Sequence, residues 1–524
     1  MGKKDKKKGK GAEKTAMKTE KKAFNRLKKE LASKGEGDIE KLIADFQEQH
    51  KTDVTGEELC PQPSPRSNFS LSPHPDKEEL VLFGGEYYNG KVSTMFNDIH
   101  FYNIKKGHWS ILHTPVKPPP RSSHQAVVLS QKGGQLWVFG GEFSGPSRSV
   151  FYHYKDLWVF HFAEKRWEEV KAPGAPSSRS GHRMTVRHKQ IVIFGGFRET
   201  IHDYKYYNDL YVFDLETYTW NKIEAVGKIP SFRSGCLFTS LVDGRMLLYG
   251  GYTKEKVKKD ADKGISHSDM YYLQVDDKSV PHRWKWSQVK PSGIPPSIRC
   301  GISMAVAPNN LAYVFGGVHD EDIDDNLNSM FHNDLYVLEL EKGRWLPVTL
   351  HGKSSRITRK KRRKVKDDYM ELNEEDYDES EEIAESLEHA KLEDDSKMVV
   401  KKTDDVFTLK IGSSASAISE SCACALSPTL EAFSPKGRMS TGMAIKSGIL
   451  YLYGGVYEEE DRHITLSDFY ALDTHKLDEW RTIIPFSVSS FEWLDSESDD
   501  EDSGDDSSES DDLSSEGNDE METQ

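Results

Sequence analysis

A short apolar run that ends in a glycine pair occurs six times in this chain. It stands at Leu80 to Gly85, Leu136 to Gly141, Ile191 to Gly196, Met246 to Gly251, Ala312 to Gly317 and Leu450 to Gly455. The first five pairs begin 56, 55, 55 and 66 residues apart. A near-constant period of this size marks a chain built from repeated structural units, and no other feature narrows the fold as far.

Each unit keeps one internal order. An arginine comes first (Arg66, Arg121, Arg179, Arg233, Arg299, Arg438), then the run with its glycine pair. A variable loop leads to an aspartate (Asp98, Asp156, Asp209, Asp269, Asp334, Asp468) and a second apolar run. A tryptophan closes the unit (Trp109, Trp167, Trp220, Trp286, Trp345, Trp480). The aspartate-to-tryptophan spacing is 11 in units one, two, three and five, 12 in unit six and 17 in unit four, where Trp284 competes for the slot.

Runs such as Ile191-Val192-Ile193-Phe194 and Leu210-Tyr211-Val212-Phe213 are β-branched and aromatic and are bounded by Gly, Asn or Asp. They predict buried strands. A unit of about 50 residues holds about four, one small antiparallel sheet whose faces must be covered by its neighbours. The glycine pair predicts a sharp turn with a large group close by, and the tryptophan is the expected neighbour. The pattern resembles the Kelch repeat over about two-thirds of the chain. The layout is similar to the kelch domain-containing protein 4 family: a Met-Gly-Lys-Lys start, Tyr152-His153-Tyr154-Lys155-Asp156-Leu157-Trp158, Lys258-Lys259-Asp260 with His267-Ser268-Asp269-Met270, and an acidic end. The resemblance implies an all-β, six-bladed Kelch β-propeller and implies no reaction.

Around the repeats the charge is segregated, so the net value of -15 conceals opposed ends. Residues 1–36 form a lysine-rich arm with too little apolar surface to fold. In 37–64, Ile39, Leu42, Ile43 and Phe46 share one face of a short helix, read first as docking on the protein's own body. Pro61, Pro63 and Pro65 then make an extended connector. Blades one to five occupy 65–351. A charged, disordered insert is expected at 352–436, opening with Arg359-Lys360-Lys361-Arg362-Arg363-Lys364 and turning acidic. Blade six and a closing segment take 437–494, with Phe491 to Leu494 packing back. The acidic tail, 495–524, offers serines such as Ser498 and Ser503 to an acidophilic kinase.

Five cysteines without a framework spacing point to a reducing compartment, and Cys422-Ala423-Cys424 is a poor zinc signal. No run reaches the length needed to span a bilayer, so no membrane partner is expected. The expected location is intracellular, in cytoplasm and/or nucleus.

No nucleophile elbow, phosphate-binding loop or His-Glu-x-x-His motif is present, and the chain is expected to be neither an enzyme nor a cofactor binder. His124 and His182 share a repeat slot, which argues for a structural role. The arginines admit two readings. The first is a ring at one mouth, with Arg121, Arg179, Arg233 and Arg299 binding an acidic or phosphorylated peptide, as the Kelch resemblance implies for Arg-Ser-Gly arginines. The second is a brace, each arginine holding its own blade through backbone carbonyls. The functional expectation is a protein-interaction scaffold or adaptor. The alternatives are an RNA- or ribosome-associated factor binding through the basic segments, and a substrate receptor of a ubiquitin ligase, for which no BTB or F-box pattern is seen.

Overall fold

The structure, a computed structural model, describes residues 36–487 except 353–431 and the short gaps 201–202, 259–260, 281, 324–325, 351 and 460–461, together with residues 26 and 29. The bulk of the basic arm, almost all of the insert, Phe491 to Leu494 and the acidic tail lie outside the described residues.

Six sheets follow one another along the chain, each an antiparallel core built from one repeat, with a two-residue parallel outer strand added in blade four (Val226–Gly227) and blade five (Ser292–Gly293). Blade three is the simplest: Arg183–Arg187, Gln190–Phe194, Leu210–Asp214 and Thr219–Ile223 pair in chain order from the inside outward. The second strand carries the sequence run, and its two faces serve different neighbours. Ile191 and Ile193 pack with Trp137 and Phe139 of blade two. Val192 and Phe194 pack with Phe238, Leu248 and Trp286 of blade four. Side chains alternate across a strand, so a strand buried on both faces must be apolar at every position. That is why the run shows no polar alternation.

The tryptophan closes the contact between blades. In blades two to six it packs on the aromatic residue just before the glycine pair of the preceding blade: Phe83 with Trp167, Phe139 with Trp220, Phe194 with Trp286, Tyr249 with Trp345 and Phe315 with Trp480, at centroid distances of 4.7–6.0 Å. Tyr453 with Trp109 at 5.6 Å completes the circle. Trp286, paired with Leu273, is therefore the unit-four equivalent. The expectation that the tryptophan lies against the glycines is corrected. Gly140 and Gly141 have φ of 63° and 95°, and a Cβ on Gly140 would stand 2.7 Å from the Arg179 carbonyl oxygen and 2.9 Å from the His182 ring. The pair exists so that the next blade's arginine carbonyl can reach it, and Gly141 N–H donates to that oxygen.

Blade six joins blade one through the same bond, from Gly455 N–H to the Arg66 carbonyl, and through Tyr453 Oη donating to Pro63 O. Gly56–Cys60 adds a fifth, outer strand to blade one.

Candidate binding face

The arginine slot was the leading site candidate, and the geometry assigns it to the brace. Each guanidinium donates through Nη1 to the carbonyl of the first glycine of its own pair, at 2.9–3.4 Å. Each also donates to the aspartate of its own unit, at 2.7 Å for Arg66–Asp98 and 2.8 Å for Arg121–Asp156. Nε donates to the carbonyl two residues upstream. Arg121, Arg179 and Arg233 are 0% exposed and Arg299 5%, so the four residues expected at a mouth turn their donors inward. The aspartates are equally committed. Burial acts to raise the carboxyls of Asp98, Asp156 and Asp269, but the paired arginine overrides it and holds them below the usual carboxylate range.

The residue after each arginine forms a β-bridge with the residue after each glycine pair, for example Ser122 with Glu142 and Ser180 with Phe197. This fixes where the variable loops emerge. All six rise from the same end of the propeller as hairpins, including Glu86–Tyr88 with Ser93–Met95, Glu142–Ser144 with Phe151–His153, and Phe197–Glu199 with Tyr204–Tyr206. In blades four and six the central strands simply run on past the glycines. Together the hairpins make a crown.

Two parts of the crown differ in character. Over blades one and two it is covered. Helix α1 (Ile39–Gln49), capped by Asp38 accepting Lys41 N–H, buries Ile43 against Met95, Phe143 and Tyr154. Just ahead of it, buried Glu36 accepts from Ser147 N–H at 3.0 Å and Ser147 Oγ at 2.6 Å. The expected docking of this helix on the protein's own body is what the structure shows. Over blades three and four the crown presents aromatic and cationic side chains. Phe197 stacks on Tyr206 at 5.6 Å, Lys254 and Lys256 lie 5.4 Å from the Tyr204 ring, and Arg198 and Lys205 are exposed beside them.

Between these parts lies a polar cluster that sequence reading did not find. Ser180 Oγ donates to Glu142 at 2.8 Å and meets His153 Nδ1 at 2.9 Å, while His153 Nε2 accepts from Glu199 N–H. Because Nε2 is an acceptor, the ring proton sits on Nδ1 and points at the serine. The histidine therefore cannot draw a proton from Ser180, which is also 0% exposed, and the group is no nucleophile despite its composition. Burial and the neighbouring Glu86 push Glu142 up to about 7. Its residues come from two loops and a repeat slot, so no spacing in the sequence announces them.

His124 and His182 are buried against the preceding blade's glycines, and burial lowers His124 to about 3 and His182 well below its ordinary value. Among the described residues no group of His, Cys, Asp and Glu is arranged to hold a metal ion, and no helix is long and apolar enough to cross a membrane.

The chain is similar to several known proteins over its repeats. It is 26% identical to acyl-CoA-binding domain-containing protein 5 of Arabidopsis thaliana over 48% of this chain and 36% of that protein. It is 27% identical to kelch domain-containing protein 3 of Homo sapiens over 40% of this chain and 58% of that protein. It is 26% identical to the F-box/kelch-repeat protein At1g51550 of Arabidopsis thaliana over 51% of this chain and 58% of that protein. The matches thus span about a third to three-fifths of these relatives. Residues 38–251 and 133–370 match the KLHDC2/KLHL20/DRC7 Kelch-repeats domain. With six braced blades and this match over more than half its length, the chain belongs to the KLHDC2/KLHL20/DRC7 Kelch-repeats domain family, whose propellers generally mediate protein interactions.

Proposed function

We propose that this chain is a non-enzymatic adaptor that holds a protein partner on the crown of blades three and four. The observation that carries the reading is the contrast within the crown: one part is covered by the chain's own helix, and the other gathers Phe197, Tyr204 and Tyr206 with Arg198, Lys205 and Lys254, while Lys256 pairs with Asp203 at 2.9 Å. Aromatic surface with interleaved cations suits an acidic or phosphorylated peptide, which gains apolar contact along its backbone and charge-assisted bonds at its acids. Partly buried aromatics are also among the residue types that dominate binding energy at interfaces.

The test is proximity labelling in cells, comparing wild type with Arg198→Glu/Lys205→Glu/Lys254→Glu after its melting temperature is matched to wild type. Loss of a specific set of protein neighbours supports the reading. Unchanged neighbours overturn it. Loss of all partners on ribonuclease treatment of pull-downs would favour the RNA- or ribosome-associated alternative through the basic arm. A narrower form, a substrate receptor of a ubiquitin ligase, draws on the F-box/kelch-repeat relative, and copurification of a cullin complex would support it.

A further inference from the structure

Arg198 and Lys205 stand directly opposite each other in the crown hairpin of blade three, Phe197–Glu199 with Tyr204–Tyr206. Opposite residues of an antiparallel pair share a face, so two cations are held side by side, which costs stability unless an anion answers them. Both are exposed, and among the described residues neither makes an ion pair. The acids nearest in sequence are engaged elsewhere. Asp203 pairs with Lys256 at 2.9 Å, and Glu199 lies on the other face, opposite Tyr204. Lys254, 5.4 Å from the Tyr204 ring, adds a third cation.

The chain itself supplies a matching anion. Residues 495–524 hold 15 Asp and Glu and no Lys or Arg. The described part of the chain that leads to them leaves blade six on the crown. The last strand, Arg481–Ile484, runs toward that end, with Ile484 opposite Phe469, next to the brace aspartate Asp468. Phe486 then packs on Tyr457, two residues past the glycine pair in the crown extension of blade six. Lys436 lies 3.6 Å from the Tyr457 ring and 5.7 Å from that of Phe486. The acidic run therefore starts from the face that carries the cations. Thirty residues span at most about 100 Å when extended, so covalent reach does not keep the two apart.

We propose that the acidic run 495–512 covers the cationic crown of blades three and four in the same molecule and competes there with the partner. Given the crown as the binding face proposed above, the run is a built-in rival. Linkage gives it an effective concentration of up to about 1 mM, so with a crown affinity near ~0.1 mM it weakens a free acidic ligand about tenfold. Phosphates on serines such as Ser498 and Ser503 add charge to the run and strengthen the cover. The lysine-rich arm offers charge for the same acids, but the crown holds its cations in a fixed register beside aromatic surface, so less ordering is needed to meet them.

The test is fluorescence anisotropy of a labelled peptide with the sequence of residues 495–512, titrated with three versions of the full chain. These are wild type, a chain with the acids of 495–512 replaced by Asn and Gln, and that second chain also carrying Arg198→Glu/Lys205→Glu/Lys254→Glu. Melting temperatures are matched first. The expected result is binding at least about tenfold tighter in the neutralised chain than in wild type, with the gain lost on crown reversal. Equal binding by wild type and the neutralised chain overturns the cover. If crown reversal still abolishes that binding, the crown remains an acid-binding face and only the self-competition falls. A gain that survives crown reversal assigns the acids to the basic arm and also overturns the cover. No binding by the neutralised chain removes both the cover and the acidic-partner reading. Sedimentation of wild type as a dimer that the neutralised chain does not form would place the run on a second copy and overturn the same-molecule cover.

Discussion

The brace and the crown are built from adjacent residues and obey opposite rules. In the brace, Arg, Gly-Gly and Asp recur six times with the same bonds, and every donor is turned inward. In the crown, the equivalent position after the glycine pair holds Glu86, Glu142, Phe197, Tyr252, Val318 and Val456, two acids, two aromatics and two valines carried on one repeated bridge. Both arise at the same end of the propeller. A residue that must satisfy its own blade is fixed by chemistry common to all blades. A residue projecting past the last ladder bond is released from that constraint and is available for discrimination. Repetition in this chain therefore reads as stability, and its failure reads as specificity.

The contrast can be broken most sharply in the brace. Arg179→Ala leaves Asp209 without its cation and the Gly195 carbonyl without its donor, and should cost about 3–5 kcal/mol in chemical denaturation. Arg198→Ala, on the crown nearby, should change stability by about 0.5 kcal/mol or less. Equal losses would erase the distinction. Trp220→Ala opens the contact with Phe139 and should cost about 3–5 kcal/mol, without altering crown binding.

Acid should find the interior before the crown. His124 is held at about 3 and His182 also well down, so the unfolded chain binds protons that the folded chain refuses. Their contribution is complete above about pH 6.5 and is lost as the pH falls, by about 3 kcal/mol for His124 at pH 4. The depressed Asp98, Asp156 and Asp269 add a second loss beginning near pH 4. Denaturant midpoints measured from pH 7 to 4 should fall throughout, and His124→Gln should flatten the first part.

Ile43→Asp should release α1 at a local cost of about 2 kcal/mol, seen as faster amide exchange in α1 with the blades still protected. Glu142 gives an effect of the opposite pH sense. Its raised pKa means the folded state holds a proton more tightly, a contribution present below about pH 4.5 and lost as the pH rises through about 7. Glu142→Gln should therefore raise the melting temperature by a few degrees at pH 8 and leave it unchanged at pH 5.

Much of the architecture was legible because each unit repeats its own answer. Six glycine pairs, six arginines and six tryptophans gave the blades, and Ile39, Leu42, Ile43 and Phe46 gave a helix with a face to bury. The partners were less legible. The tryptophan was expected on the glycines and lies on the residue before them, in the preceding blade, because only the circular stacking of sheets brings those positions together. The arginines left two roles open, since a guanidinium suits a carboxylate equally well inside or outside its own chain. The Glu142, His153 and Ser180 group was invisible, being assembled from a loop pair in blade two and the first bridge of blade three.

What the sequence alone determined was the unit: its strands, from continuous β-branched and aromatic runs, and its number, from a period that does not depend on how the units pack. What only the tertiary structure decided was direction. Closing six sheets around an axis turned the arginines onto their own aspartates and set α1 over one part of the crown. Periodicity is a local property of the chain, whereas the side of a blade that a charge faces is settled only when the circle closes.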